Sequence, residues 1–259
     1  MLTGEHAGYY GDYQTPRMDL ARALASGFVY QGEISEFWGK KPRGEPSGEL
    51  PPATFVNFLQ NHDQIGNRPL GDRLESLASP KQIEAALAVT LLAPMVPMLF
   101  QGEEWGSTVP FPFFCDFHDG LADAVRKGRK QEYAWAYEKY GDEVPDPLDP
   151  ATLQLAVLDW NGRTPEQDER LALVRELLAL RRKEIMPRLK GARFGDAEAA
   201  DTGLLTAHWR MGDGATLRLT ANLSDKDVAY SNSNAGTPIW GGEAGERLPP
   251  WSVVWHLGG

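Results

Sequence analysis

Asn61-His62-Asp63-Gln64 sets an amide, an imidazole, a carboxylate and a second amide in consecutive positions, directly after the apolar run Thr54-Phe55-Val56-Asn57-Phe58-Leu59. An Asp in such a place often bonds nearby backbone and starts a helix or loop. Here Asn67 and Arg68 follow closely, and Gly66 lets the backbone turn between them. That polar density exceeds what a cap needs and suits a ligand rich in hydroxyls, with Asp63 as the decisive acid. Carboxylate chemistry on glycosides uses a proton donor and a nucleophile or base flanking one bond. The other acids at the end of an apolar run are Glu103 and Glu104, and their adjacency to Trp105 fits loop anchoring better than catalysis. His62 has no second His at metal-ligand spacing, and no Gly-x-Ser-x-Gly elbow occurs. Metal-centred and serine-nucleophile chemistries are therefore disfavoured.

A second group with chemical potential is aromatic. Trp105, Phe111, Phe113, Phe114 and Phe117 precede Tyr133, Trp135 and Tyr137 in a long stretch, about residues 105–150, that reads as an irregular insertion. Most such rings belong to packing. One or two of the Phe residues, next to a polar site, are expected to form a wall for the apolar face of a sugar.

The elements that must position these residues are partly written in local signals. Thr15-Pro16 opens a helix that stops at Gly27, and Ser79-Pro80-Lys81-Gln82 and Thr164-Pro165-Glu166-Gln167 each combine an N-cap, a proline at the first helical position and a capping-box Gln. The runs 54–59 and 96–100 read as short strands buried on both faces, the pattern of a parallel sheet covered by helices. Strand, polar loop, helix, strand, polar loop is a βαβ order with its chemistry at the strands' C-terminal ends. After about Gly191 the texture changes to strands at 204–210, 216–223 and 251–255, the first two joined by a hairpin turn at Met211-Gly212-Asp213-Gly214. Arg181-Arg182-Lys183 falls at a helix end, where solvated positive charge complements the dipole.

Composition narrows the partners. The chain has 259 residues, 42% of them hydrophobic and 24% charged, and a formal net charge of −10. A nucleic-acid groove needs clustered Lys and Arg, so that charge argues against nucleic acid and against an anionic membrane surface. Cys115 is alone, which excludes an intramolecular disulfide and a Cys-based zinc site. The apolar stretch 85–100 is broken by Thr90, Pro94 and Pro97, too interrupted to span a bilayer. No signal-peptide pattern is seen, and a cytoplasmic setting is expected.

Phe58-Leu59-Gln60-Asn61-His62-Asp63-Gln64-Ile65-Gly66-Asn67-Arg68 resembles the strand-seven motif of the α-amylase superfamily in the form found in malto-oligosyltrehalose trehalohydrolases. Leu2-Thr3-Gly4-Glu5 with Gly8-Tyr9-Tyr10, Gly27-Phe28-Val29-Tyr30-Gln31-Gly32, Gln101-Gly102-Glu103-Glu104-Trp105, Phe111-Pro112-Phe113-Phe114 and Leu248-Pro249-Pro250-Trp251-Ser252-Val253 are similar to successive segments of that family. The resemblance implies an α/β fold: the C-terminal part of a (β/α)8 TIM barrel over residues 1–190, then a small antiparallel β-sandwich domain over 191–259. It implies retaining hydrolysis of the α-1,4 bond next to the terminal trehalose of maltooligosyl trehalose, without metal or cofactor. Asp63 would stabilise the transition state, assisted by His62. Tyr30, Gln31, Asn61, Gln64, Arg68 and Phe113 would contact substrate. The family's Arg-x-Asp nucleophile and its acid Glu have no counterpart between Met1 and Thr54, where Asp12, Asp19, Glu33 and Glu36 lie in other settings. This chain alone is accordingly expected to be inactive. A non-catalytic carbohydrate-binding remnant is the competing reading, and a branching or debranching specificity is a third.

Overall fold

The computed structural model describes residues 1–6, 8–230, 236–242 and 245–259. In chain order the elements begin with α1 (Pro16–Ser26), β1 (Ile34–Ser35), β2 (Lys41–Pro42), β3 (Val56–Asn57), α2 (His62–Gly66), α3 (Pro80–Leu92) and β4 (Val96–Pro97). There follow α4 (Asp119–Glu132), α5 (Ala134–Tyr140), α6 (Pro150–Leu155) and α7 (Pro165–Leu180). The last strands are β5 (Arg193–Ala199), β6 (Leu204–Arg210), β7 (Thr216–Asn222), β8 (Val228–Ala229), β9 (Thr237–Trp240), β10 (Arg247–Leu248) and β11 (Ser252–Gly258). The chain divides into two compact units, Met1–Asn57 with Ser79–Met98 and Arg175–Gly259, and Phe58–Ala78 with Leu99–Val174. No described helix is long and apolar enough to cross a membrane.

The three helix starts form where their caps predict. Pro16 sits at the start of α1, and Gly27 closes it at φ 86°, its N–H bonded to Ala23 O. A Cβ at Gly27 would meet the Phe55 ring at 2.4 Å, so glycine is needed for space as well as for backbone sign. Ser79 and Gln82 close a capping box on α3. The Thr164 amide donates to Gln167 Oε1 at 3.0 Å and the Gln167 amide to Thr164 Oγ1 at 3.3 Å, the same device on α7.

In the first unit the strands of the C-terminal segment make a five-stranded antiparallel sheet in the order β5-β6-β7-β11-β9. A separate two-stranded ladder joins β10 to β8, so the expected sandwich is observed as one main sheet and one short ladder. Leu205, Ala207 and Trp209 on β6, Leu217, Leu219 and Ala221 on β7, and Val253 and Trp255 on β11 are buried and share one face through the paired registers. Helices α1 and α3 cover that face. Trp209 Nε1 donates to Leu24 O at 3.1 Å, Trp255 Nε1 donates to Ala88 O at 3.2 Å, and the two indoles stack at 5.6 Å. The hairpin between β6 and β7 turns at Gly214, φ 92°, with Met211 N bonded to Ala215 O at 2.7 Å.

The runs read as buried strands pair as expected but are not buried. β3 and β4 are parallel, Val56 opposite Val96, with Val96 N bonded to Phe55 O at 2.9 Å. Phe55 turns inward onto the rings of Phe28 and Phe194. The pleat then sends Val56 to the opposite face, where it is 58% exposed, and Val96 is 43% exposed. Only two residues of each run join the ladder.

A second correction concerns Arg181. It is 5% exposed, not solvated. Helix α3 ends at Leu92, and its last carbonyls have no intrahelical partner. Arg181 supplies donors to one of them and to the turn that follows: Nη1 to Leu91 O at 3.0 Å and to Ala93 O, Nη2 to Pro94 O at 3.4 Å and to Met95 O at 2.6 Å. The backbone widens into a π-turn at Arg181–Ile185, as helices do where a side chain is re-aimed for a local task. Burial lowers this guanidinium to about 10, which leaves it charged at neutral pH.

In the second unit the stretch 105–150 is not irregular throughout, because α4 and α5 lie within it. α4 buries no residue and carries Gly120 and Gly128, which lower its intrinsic helix propensity. The loop before it is anchored by the buried Arg73, which donates to Val109 O at 2.5 Å and Gln101 O at 2.8 Å and lies 5.2 Å from the Phe100 ring centre. Phe111 packs edge-on against Phe100 and Phe114.

Candidate functional site

The site is built on α2, a helix of five residues, too short to hold itself by propagation. Asn61 is its N-cap. Asn61 Oδ1 accepts from the Asp63 amide at 2.7 Å and the Gln64 amide at 3.3 Å, and Gln64 Oε1 accepts from the Asn61 amide at 2.9 Å. Two of the four polar residues thus form a reciprocal capping box. The polar density that pointed to a ligand also contains a cap, formed by Asn61 rather than by Asp63. Ile65 and Gly66 are buried and root the turn.

That rooting leaves His62 and Asp63 outward. Their side chains are 68% and 67% exposed, with His62 Nε2 3.4 Å from Asp63 Oδ1. An exposed carboxylate next to an imidazole can accept hydrogen bonds from vicinal hydroxyls or stabilise nearby positive charge. It cannot by itself provide the two carboxyl groups that glycoside hydrolysis uses.

The far end of α2 is held from α4. Arg129 Nη2 donates to Gly66 O at 3.0 Å and Nη1 to Asn67 Oδ1 at 3.2 Å. Tyr133 Oη donates to Asn67 O at 2.5 Å. The same guanidinium lies 4.7 Å from the Phe113 ring centre and 4.4 Å from that of Tyr133. Phe113, 37% exposed, is therefore brought into one cluster with α2, and half-buried Arg68 follows directly in the chain. Sequence reasoning missed Arg129. The available signal was its spacing four residues before Tyr133, which puts cation and ring on one helical face.

Tyr30 and Gln31 belong to the first unit. Tyr30 Oη donates to Asp12 O at 3.3 Å, its ring meets Tyr13 edge-on, and burial together with the Asp12 charge pushes its phenol up. Gln31 Nε2 donates to Phe28 O at 2.8 Å and Ser47 Oγ at 3.0 Å, while its Oε1 accepts from the Ser47 amide at 2.8 Å. Its amide ties the loop back on itself.

Glu103 takes the anchoring role. It is fully buried, and Oε2 accepts from the Phe100 amide at 2.9 Å. Burial pushes its carboxyl up to about 8, with the Glu75 charge adding to the effect. Gln60, just before the site, is buried too: its Oε1 accepts from the Leu74 amide at 3.1 Å and its Nε2 donates to Glu75 at 3.3 Å.

Comparison with known proteins gives this geometry a context. Residues 192–255 match a family described as Domain of unknown function (DUF3459). The crystal structure of a putative alpha amylase from Salmonella typhimurium superposes on 100% of this chain and 44% of its own, at TM-score 0.90 and 43% identity. The fold is thus an α/β α-amylase-type C-terminal region. Malto-oligosyltrehalose trehalohydrolase from Deinococcus radiodurans is 43% identical over 188 residues, 71% of this chain and 31% of that protein. The one from Brevibacterium helvolum is 36% identical over 268 aligned positions, 98% of this chain and 44% of that protein. The chain is similar to malto-oligosyltrehalose trehalohydrolases along nearly its whole length, and it spans less than half the length of these relatives.

Proposed function

We propose that this chain carries the Asp63 portion of the active site of a retaining glycoside hydrolase. The enzyme cleaves the α-1,4 bond next to the terminal trehalose of maltooligosyl trehalose and releases trehalose. Asp63 binds hydroxyls of the reacting glucose while positive charge builds at its anomeric carbon, and His62 assists as a second hydroxyl partner. Arg68 and Phe113 contact the adjoining part of the oligosaccharide, with Asn61 and Gln64 chiefly shaping the turn and Tyr30 and Gln31 contributing from their own loop. Residues 1–190 form the C-terminal part of a (β/α)8 barrel, and 191–259 form the β domain. The parallel β3–β4 pair with α3 between its strands supports the first assignment, and the match over 192–255 supports the second.

The observation that carries the reading is the exposed His62–Asp63 pair on a turn capped at one end and clamped at the other. Glu75 is half-buried and accepts from Gln60, and Glu103 is buried and accepts from the Phe100 amide, so the nucleophile and acid are proposed to come from elsewhere in a longer polypeptide. Product analysis tests the specificity. The protein expressed from the full reading frame that encodes this chain is expected to convert maltotriosyl trehalose to trehalose and maltotriose. Release of glucose or maltose, or transfer to a new branch, would assign a different amylase-type reaction. Oligosaccharide binding without turnover would favour a carbohydrate-binding protein.

A further inference from the structure

Helix α4 poses a problem of purpose. It is fourteen residues long and buries none of them, so it contributes little to a hydrophobic core. Its described ties are polar: Arg126 pairs with Asp146, Lys130 lies over the Tyr137 ring, and the rest run to the candidate site. The carbonyls at the end of α2 have no intrahelical partners, and Arg129 and Tyr133 meet them at Gly66 O and Asn67 O. Arg129 is nevertheless well enclosed, with a side chain 16% exposed, and it stacks on Phe113 while it donates to α2. A planar guanidinium can stack and donate along its edge at once, and a lysine ammonium cannot. One side chain therefore fixes two things together: the direction of the turn that bears Asp63, and the ring proposed as a substrate wall.

We propose that Arg129 is a positioning residue, which holds the Asp63 helix and the Phe113 ring in register for the oligosaccharide. The assignment rests on the function proposed above. In this role Arg129 acts through Gly66, Asn67 and Phe113.

The test uses the protein expressed from its full reading frame and two variants, Arg129→Met and Arg129→Lys. Four quantities are read: kcat, KM for maltotriosyl trehalose, Tm, and hydrogen exchange at the Ile65, Asn67 and Arg68 amides. Because displacement of about 1 Å can lower turnover by about 100-fold, Arg129→Met is expected to lower kcat by roughly 10- to 100-fold. KM should stay within about three-fold, the mark of a lost transition-state alignment rather than lost binding. Tm should move by no more than about 2 °C while exchange at those three amides rises about ten-fold or more. Arg129→Lys, which keeps the charge and one donor but not the stack, should recover part of kcat. Unchanged kcat and exchange in Arg129→Met would overturn the proposal. So would a drop in kcat that tracks a loss of Tm with exchange rising through the whole chain, since that is plain destabilisation. If the parent protein releases no trehalose, the proposed function fails, and the amide exchange alone decides whether Arg129 orders α2.

Discussion

Glu103 shows how far the role of a single acid depends on its enclosure. Its Oε2 accepts one amide proton from Phe100, and its Oε1 meets no partner among the described residues. The groups facing it are Arg73, Glu75 and Glu104, and burial outweighs the one favourable charge, so the carboxyl is raised from 4.5 to about 8. The folded protein therefore keeps a proton that the unfolded chain releases. That contribution to stability is fully present below pH about 4.5 and is lost as pH rises through about 8. Glu103→Gln keeps an acceptor for the Phe100 amide and removes the titration. It should match the parent in urea melts near pH 4.5 and exceed it at pH 8 by an amount on the order of a few kcal/mol. Equal stability of the two proteins at pH 8 would show that Glu103 is not held neutral. In sequence, Glu103 and Asp63 look alike: acids just after apolar runs. Their difference lies in which side of the turn each faces, and neighbours distant in the chain decide that.

At the scale of elements, the legible features were those whose causes are local. Thr15-Pro16, Ser79 with Gln82, and Thr164 with Gln167 each carry a helix start within four residues, and each forms. The hairpin at 211–214 is equally local. Asn61 and Gln64 have the same capping-box spacing, but the dense polar surroundings drew the reading toward a ligand. What was illegible depends on partners far along the chain. Arg181 is buried because carbonyls at the end of α3 and in the turn after it, some ninety positions earlier, need donors, and nothing around residue 181 announces that. α4 is mostly polar and buries no residue, so it offered no apolar core face to mark it. The Arg181 cap makes a direct prediction. Arg181→Met leaves the carbonyls of Leu91, Ala93 and Met95 enclosed without donors, which should cost about 3 kcal/mol or more in urea denaturation. Arg181→Lys should restore part of it. A loss below about 1 kcal/mol for Arg181→Met would mean that the carbonyls find other partners.

At the scale of the whole molecule, the fold and the site have different completeness. The antiparallel sheet, with Trp209 and Trp255 stacked beneath α1 and α3, is a closed packing solution. β3 and β4 are a parallel pair with exposed valines, and their likeness to barrel strands is a proposal that rests on the family. The candidate site presents an exposed carboxylate and an imidazole, whereas the proposed reaction uses a pair of carboxyl groups. On the proposed function, activity belongs to a longer polypeptide, and Asp63 is the residue through which this chain would enter it. The most direct measurement is the steady-state kinetics of Asp63→Asn in the protein expressed from the full reading frame, with maltotriosyl trehalose as substrate. Asn keeps the size of Asp and one acceptor oxygen but not its charge. If Asp63 stabilises the developing positive charge, kcat falls by about three orders of magnitude or more while KM changes little. An unchanged kcat with a large rise in KM would contradict that role and leave Asp63 as a binding contact only.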